Sequence, residues 1–282
     1  MRRLGIASSI GLLLLGQLLL HVSVLVFVAI TMVARGLDYA PAVRMVTSDP
    51  LPLGAAQLGA LAAVIALGLW LWTPGVGPAP ALGLVPTRTR IAVVAAILGL
   101  ALQLPMVELT TRIARLVPAL AHSPEVDAAI TALTRVSSPL RAFSVPFTFV
   151  VIAPVTEELL FRGLILRALR TRYGPTRAIV ISALFFGAFH LDPQALVFAS
   201  LMGLVLGWIA ERTQSTMPSI ALHAGFNAMP VLFPEELVRI PGFNTGAIED
   251  VPWPLVLGSS VVAALALIVL GRMRTGHEDA PG

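Results

Sequence analysis

The chain has 282 residues, 57% hydrophobic and 12% charged, with mean hydropathy +0.89 and formal net charge +4. A soluble domain carries about a quarter of its residues charged, so the composition excludes a water-soluble globule and defines an integral membrane protein. All 19 basic residues are arginines that flank apolar stretches without forming a dense run, which points to membrane lipids and not nucleic acid as partner. Abundant Ala, Leu and Arg without Lys points to a GC-rich bacterial genome. The absence of cysteine removes disulfides, thiolate metal sites and a thiol nucleophile.

A helix needs about 20 apolar residues to cross the hydrocarbon core. By that measure the chain is an all-α polytopic transmembrane bundle with spans at 8–33, 55–73, 90–107, 142–160, 177–190, 195–210, 217–233 and 253–270. The first apolar run continues to Val33 without a small-x-small cleavage pattern, so it reads as a retained helix and not a signal peptide. Between the third and fourth spans, Ser123-Pro124-Glu125 has the form of a helix N-terminus. Val126, Ile130 and Leu133 follow at helical spacing, giving a short amphipathic helix on the membrane surface. The fifth to seventh spans are short and separated by "HLDPQ" (190–194) and "ERTQSTMP" (211–218), both rich in breakers. Residues 1–282 form a single membrane domain, with a disordered tail expected at 275–282.

Arginine placement orients the spans. Arg2, Arg3, Arg88, Arg90, Arg167, Arg170, Arg172, Arg177, Arg212, Arg272 and Arg274 fall on one side; the other side mixes Arg35, Arg44, Arg112, Arg115, Arg135, Arg141 and Arg239 with most of the loop acids. Both termini are therefore expected in the cytoplasm, with the chain in the bacterial cytoplasmic membrane.

Against this background "TEELLFRG" (156–163) is anomalous, because an ionised side chain at the bilayer centre costs roughly 3 kcal/mol or more. Glu158 and Arg162 are i,i+4 neighbours with the acid N-terminal, the favourable order. Glu157 points about 100° away and is available for chemistry. A buried pair that only pins helix packing is the competing reading. His190 closes the fifth span in "FFGAFH". Counted from the turn at Tyr173-Gly174-Pro175, it lies at nearly the same depth as Glu157 in an antiparallel hairpin, about 24 Å in. The seventh span carries His223 and Asn227 at i,i+4, able to converge on a metal, a water or an oxyanion, or to act as interhelical glue. One conflict stands: His190 belongs near one membrane face, whereas His223 is only about two helical turns from the opposite one.

"EELLFR" (157–162), "FGAFH" (186–190) and "HAGFN" (223–227) have the pattern EExxxR, FxxxH, HxxxN. In this order on three apolar helices they resemble the CPBP family of CAAX proteases and bacteriocin-processing enzymes, also called ABI, over residues 140–233. The resemblance implies an intramembrane endopeptidase acting on a peptide or protein segment that enters from the membrane. Glu157 with His190 would activate the attacking water, and His223 with Asn227 would stabilise the oxyanion. Glu158 and Arg162 would support the motif helix. Zinc is the candidate cofactor and, if used, would be held among Glu157, His190, His223 and Asn227. The residues alone permit the same chemistry, since peptide hydrolysis needs a base, a proton for the leaving amine and oxyanion donors. Neither an HExxH nor a GxSxG motif is present. The alternatives are a non-catalytic scaffold or immunity protein and a proton-coupled transporter, but the polar residues cluster in three spans and form no repeated halves.

Overall fold

The structure, a computed structural model, describes residues 5–235, 237–245 and 249–273. The tail expected to be disordered, and Arg2, Arg3 and Arg274 of the charge count, lie outside the described residues. α1 (Ile6–Arg35), α2 (Tyr39–Thr47), α3 (Pro50–Trp72) and a single turn, α4 (Pro78–Ala81), lead into α5 (Thr89–Leu116). The amphipathic α6 (Pro124–Thr134) follows, with Ser123 Oγ accepting from Val126 N as expected. Residues 139–173 then run helically as α7 (Pro139–Pro146), a π-helical stretch (Phe147–Ile152) and α8 (Ala153–Glu158). A second π-helical stretch (Leu159–Leu166) joins α8 to α9 (Arg167–Tyr173). The chain closes with α10 (Pro175–Phe189), α11 (Pro193–Thr213), α12 (Met217–Leu232) and α13 (Trp253–Arg272).

The result is an all-α membrane bundle, with no strand among the described residues. The eight expected spans all fall on helical residues, the fourth on a run of α- and π-helical pieces, but the expected count of eight is not established. Five of these helices, α1, α3, α5, α11 and α13, are long and apolar enough to cross a membrane; α10 is apolar but shorter. Helix starts follow a common local rule. Asp49-Pro50, Ser138-Pro139 and Asp192-Pro193 each put an acceptor side chain before a proline that needs no donor, and the caps accept from Leu51, Arg141 and Ala195 N.

α5 and α12 make the closest crossing. Gly99 faces the Leu222 carbonyl and Gly225 the Ala96 carbonyl, and a Cβ on either glycine would overlap that oxygen. Small residues allow such backbone approach where van der Waals packing, and not water, drives association. α5 also packs on α13, and α10 on α11. Leu61, Leu98, Leu160, Phe161, Leu164, Leu206 and Leu222 fill the shared core. Leu14, Leu18 and Val33 of α1 and Leu257 and Leu265 of α13 face outward, the inverse of a soluble protein.

The two ends of the bundle differ in charge. Arg88, Arg90, Arg167, Arg170, Arg172, Arg177, Arg212 and Arg272 gather at one end, where Glu211 is the acid among the described residues. The end is knit by Arg212 Nη2 to the Gly271 carbonyl (2.5 Å) and Arg170 Nε to Glu211 (2.8 Å). At the other end the arginines are engaged locally. Arg112 pairs with Glu108 and Arg115 with Asp250, while Arg141 donates to the carbonyls of Ser48, Ala132, Leu133 and Arg135. On the minority side Arg112, Arg115 and Arg141 are thus held by acids and carbonyls.

Candidate active site

The motif helix is deformed on both sides of its carboxylates. In the stretch Phe147–Ile152 the Ala153 N–H reaches the Thr148 carbonyl, an i→i−5 bond. In that register the next donor would be residue 154, which is proline and has none. The Phe149 carbonyl is therefore left without its backbone partner, and Asn227 Nδ2 donates to it at 2.9 Å. π-Helical turns of this kind recur at functional sites because they redirect side chains. Here one of them ties the motif helix to α12.

Glu158 and Arg162 are both fully buried and are bonded at 2.8 Å, as the i,i+4 spacing predicts. Arg162 also donates to the Gly203 carbonyl at 3.2 Å and lies over the Phe186 ring, 4.4 Å from its centroid. Glu158 Oε1 has a second partner in His223 Nδ1 at 2.9 Å. With Nδ1 engaged, the other ring nitrogen of His223 faces Glu157, with Nε2 3.9 Å from Oε2. Glu157 is buried and takes a hydrogen bond at Oε1 from Gln57 Nε2 of α3, 2.9 Å. Gln57 also reaches Thr156 Oγ1 at 3.3 Å. Sequence reasoning missed Gln57. A single amide in the otherwise apolar run of α3 was the available signal, by the same logic that singled out Glu157.

The depth conflict between His190 and His223 is resolved by the turn before α12, which is sunk into the bundle. Ser215 and Thr216 are each 1% exposed, and their hydroxyls donate to the carbonyls of Val85 (2.7 Å) and Leu82 (2.6 Å). α12 therefore starts below the surface, while α10 has 15 residues and stops early. Both histidines meet the edge of Phe186, with ring centroids 5.2 Å from His190 and 5.7 Å from His223. His190 itself is exposed and bonds through Nδ1 to the Phe186 carbonyl at 2.9 Å. The next residue, Leu191, has φ 55°, unusual for a bulky side chain, and reverses the chain there.

The arrangement brings Glu157, Glu158, Arg162 and His223 into one hydrogen-bonded centre, with Asn227 one turn along α12. His190 shares the Phe186 ring with His223, and no bond joins it to Glu157 among the described residues. The four zinc candidates do not converge as a tetrahedral set. His223 Nδ1 is on Glu158, Asn227 Nδ2 on Phe149 and His190 Nδ1 on Phe186. Among the described residues no three His, Asp or Glu side chains gather in a metal-holding group.

Fold and site together define a polytopic helical membrane protein built around a buried carboxylate–imidazole centre. Residues 139–229 match the Rce1-like family, type II CAAX prenyl endopeptidase Rce1-like. A Bacillus subtilis (strain 168) protein named "Putative membrane peptidase YdiL" is 30% identical over 89 residues, covering 32% of this chain and 36% of that protein. The chain thus spans about a third of the length of the curated relative it matches. No solved structure matches. The 139–229 segment, which carries all six motif residues, is thus similar to CAAX-type proteases.

Proposed function

We propose that the chain is an intramembrane endopeptidase of the CAAX-processing type, with Glu157 as general base. The observation that carries this reading is the facing pair Glu157 Oε2 and His223 Nε2, 3.9 Å apart. Each of the two is fixed from behind, Glu157 by Gln57 and His223 by Glu158. A gap of that size suits one bridging water. Glu157 takes a proton from the water, whose oxygen adds to the scissile carbonyl carbon, and the carbonyl π electrons move onto oxygen. Asn227 keeps one N–H on Phe149 and offers its second to the oxyanion, beside His223 on the same helix face. Collapse of the tetrahedral intermediate breaks the C–N bond, and the proton held by Glu157 passes to the leaving amine. His190, exposed beside Phe186 with Nε2 without a hydrogen bond among the described residues, assists from the side where a peptide segment enters. Glu158 and Arg162 are positioning residues.

Both termini and the arginine-rich end face the cytoplasm in this reading. The test is cleavage of a quenched peptide library by the purified chain in detergent, beside Glu157→Gln and Asn227→Ala, with and without a chelator. The reading expects cleavage lost in Glu157→Gln and reduced about 100-fold in Asn227→Ala as for an oxyanion donor, and the chelator arm decides whether a metal takes part. Cleavage that survives in Glu157→Gln overturns the assignment of the base.

A further inference from the structure

At the basic end, the start of α5 and the finish of α13 enclose an open cleft of about 460 Å³ lined by Arg88, Arg90, Val269, Arg272 and Met273. Three guanidinium groups share it, and no acid lines it. Arg90 and Arg272 are exposed and make no hydrogen bond or ion pair with another described residue. The neighbouring cavity at the same end is different. It is smaller, about 130 Å³, and its Arg170 is already bound to Glu211 (2.8 Å) and Gln214 (2.7 Å). Among the described residues, Arg90 and Arg272 thus place positive charge without an acid partner between α5 and α13.

The surface beneath the arginines is apolar. On α5, Val93 and Ile97 lie three and seven residues beyond Arg90, on the same helix face, and are 52% and 43% exposed. On α13, Val269 and Leu265 lie three and seven residues before Arg272 and are 41% and 57% exposed. The two stripes descend from one cationic cleft along two helices that are long enough to cross a membrane.

We propose that this cleft is a binding site for an anionic phospholipid, its phosphate held by Arg90 and Arg272 with Arg88 beside them, and its acyl chains laid along the α5 and α13 stripes. The apolar stripes select a lipid over a free phosphate, which would gain nothing from them. Guanidinium groups suit the ligand because they present several donors in a planar fork to phosphate oxygens. The inference is independent of the catalytic reading, since α5 and α13 lie outside the 139–229 segment.

The test is lipid binding by the full chain, measured by native mass spectrometry in detergent. Dioleoylphosphatidylglycerol is compared with dioleoylphosphatidylcholine, which has the same acyl chains, and with glycerol phosphate, which has none. Each surface arginine contributes about a fivefold change in affinity for anionic lipid. Phosphatidylglycerol should therefore bind at least about fivefold tighter than phosphatidylcholine, and R90Q/R272Q should weaken it about 25-fold. R90K/R272K, which keeps the charges, should retain the preference. Equal binding of the two lipids, or an intact preference in R90Q/R272Q, overturns the proposal. Glycerol phosphate binding as tightly as the lipid also overturns it, by assigning the cleft to a free phosphate.

Discussion

Arg162→Met removes the cation from a pair whose two side chains are both 0% exposed, while keeping an unbranched stem of similar reach. Breaking a buried pair from one side costs about 3–5 kcal/mol, because the surviving charge is left without its compensation. Glu158 keeps one partner, His223 Nδ1 at 2.9 Å, and the Gly203 carbonyl loses its guanidinium donor. The lower half of that range is therefore expected, about 3 kcal/mol. Glu158→Met should cost a similar amount: Arg162 retains the Gly203 carbonyl and the Phe186 face, the latter contributing about 2 kcal/mol when desolvated. The double variant removes both charges from the core. Its cost should stay below the sum of the singles by at least about 2 kcal/mol, the coupling expected of groups in direct contact. The assay is reversible unfolding in mixed micelles, followed by tryptophan fluorescence, as a double-mutant cycle. Peptidase activity should be lost in the double variant despite its recovered stability, because His223 has lost its anchor. Additive costs would refute the idea that Glu158 and Arg162 act as one buried pair.

Gln57→Leu removes one hydrogen bond to a carboxylate, about 1.5–3 kcal/mol; kcat should fall about 10- to 100-fold with KM little changed, and an unchanged kcat would remove Gln57 from the site. Gly225→Val drives a branched side chain into the Ala96 carbonyl and should lower stability by about 3 kcal/mol. It should also abolish peptide cleavage, since His223 and Asn227 flank it on α12. Thr216→Val strips the Leu82 carbonyl of its donor and should cost about 1–3 kcal/mol in the same unfolding assay. A wild-type unfolding midpoint would show that the turn before α12 is not anchored there.

What the sequence revealed, and what it concealed, divide along one physical line. Spans were legible because hydropathy is a property of contiguous residues, and so was the Glu158–Arg162 bond, since i,i+4 geometry is fixed by the helix itself. The cap at Ser123 was legible for the same reason. Gln57 was not read, because its contact with Glu157 joins residues 100 positions apart, and no local pattern reports a partner at that separation. Span ends were placed on the assumption that breakers mark membrane faces. Ser215 and Thr216 defeat that assumption by finding acceptors in the Val85 and Leu82 carbonyls, so a polar turn can lie inside the bundle. This also changes how the pairing of His223 is understood. Spacing made Glu157 the free carboxylate and Glu158 the compensated one, yet α12 enters deep enough for His223 to bond the compensated acid and face the free one. Arg162 and His223 thus share Glu158 from two helices, so the buried ion pair and the orientation of the His223 imidazole are set by the same oxygen. A residue whose charge balance is structural and whose partner is chemical cannot be sorted into one role by spacing alone. That is why packing and function were legible separately along the chain, while their junction at Glu158 was visible only in three dimensions.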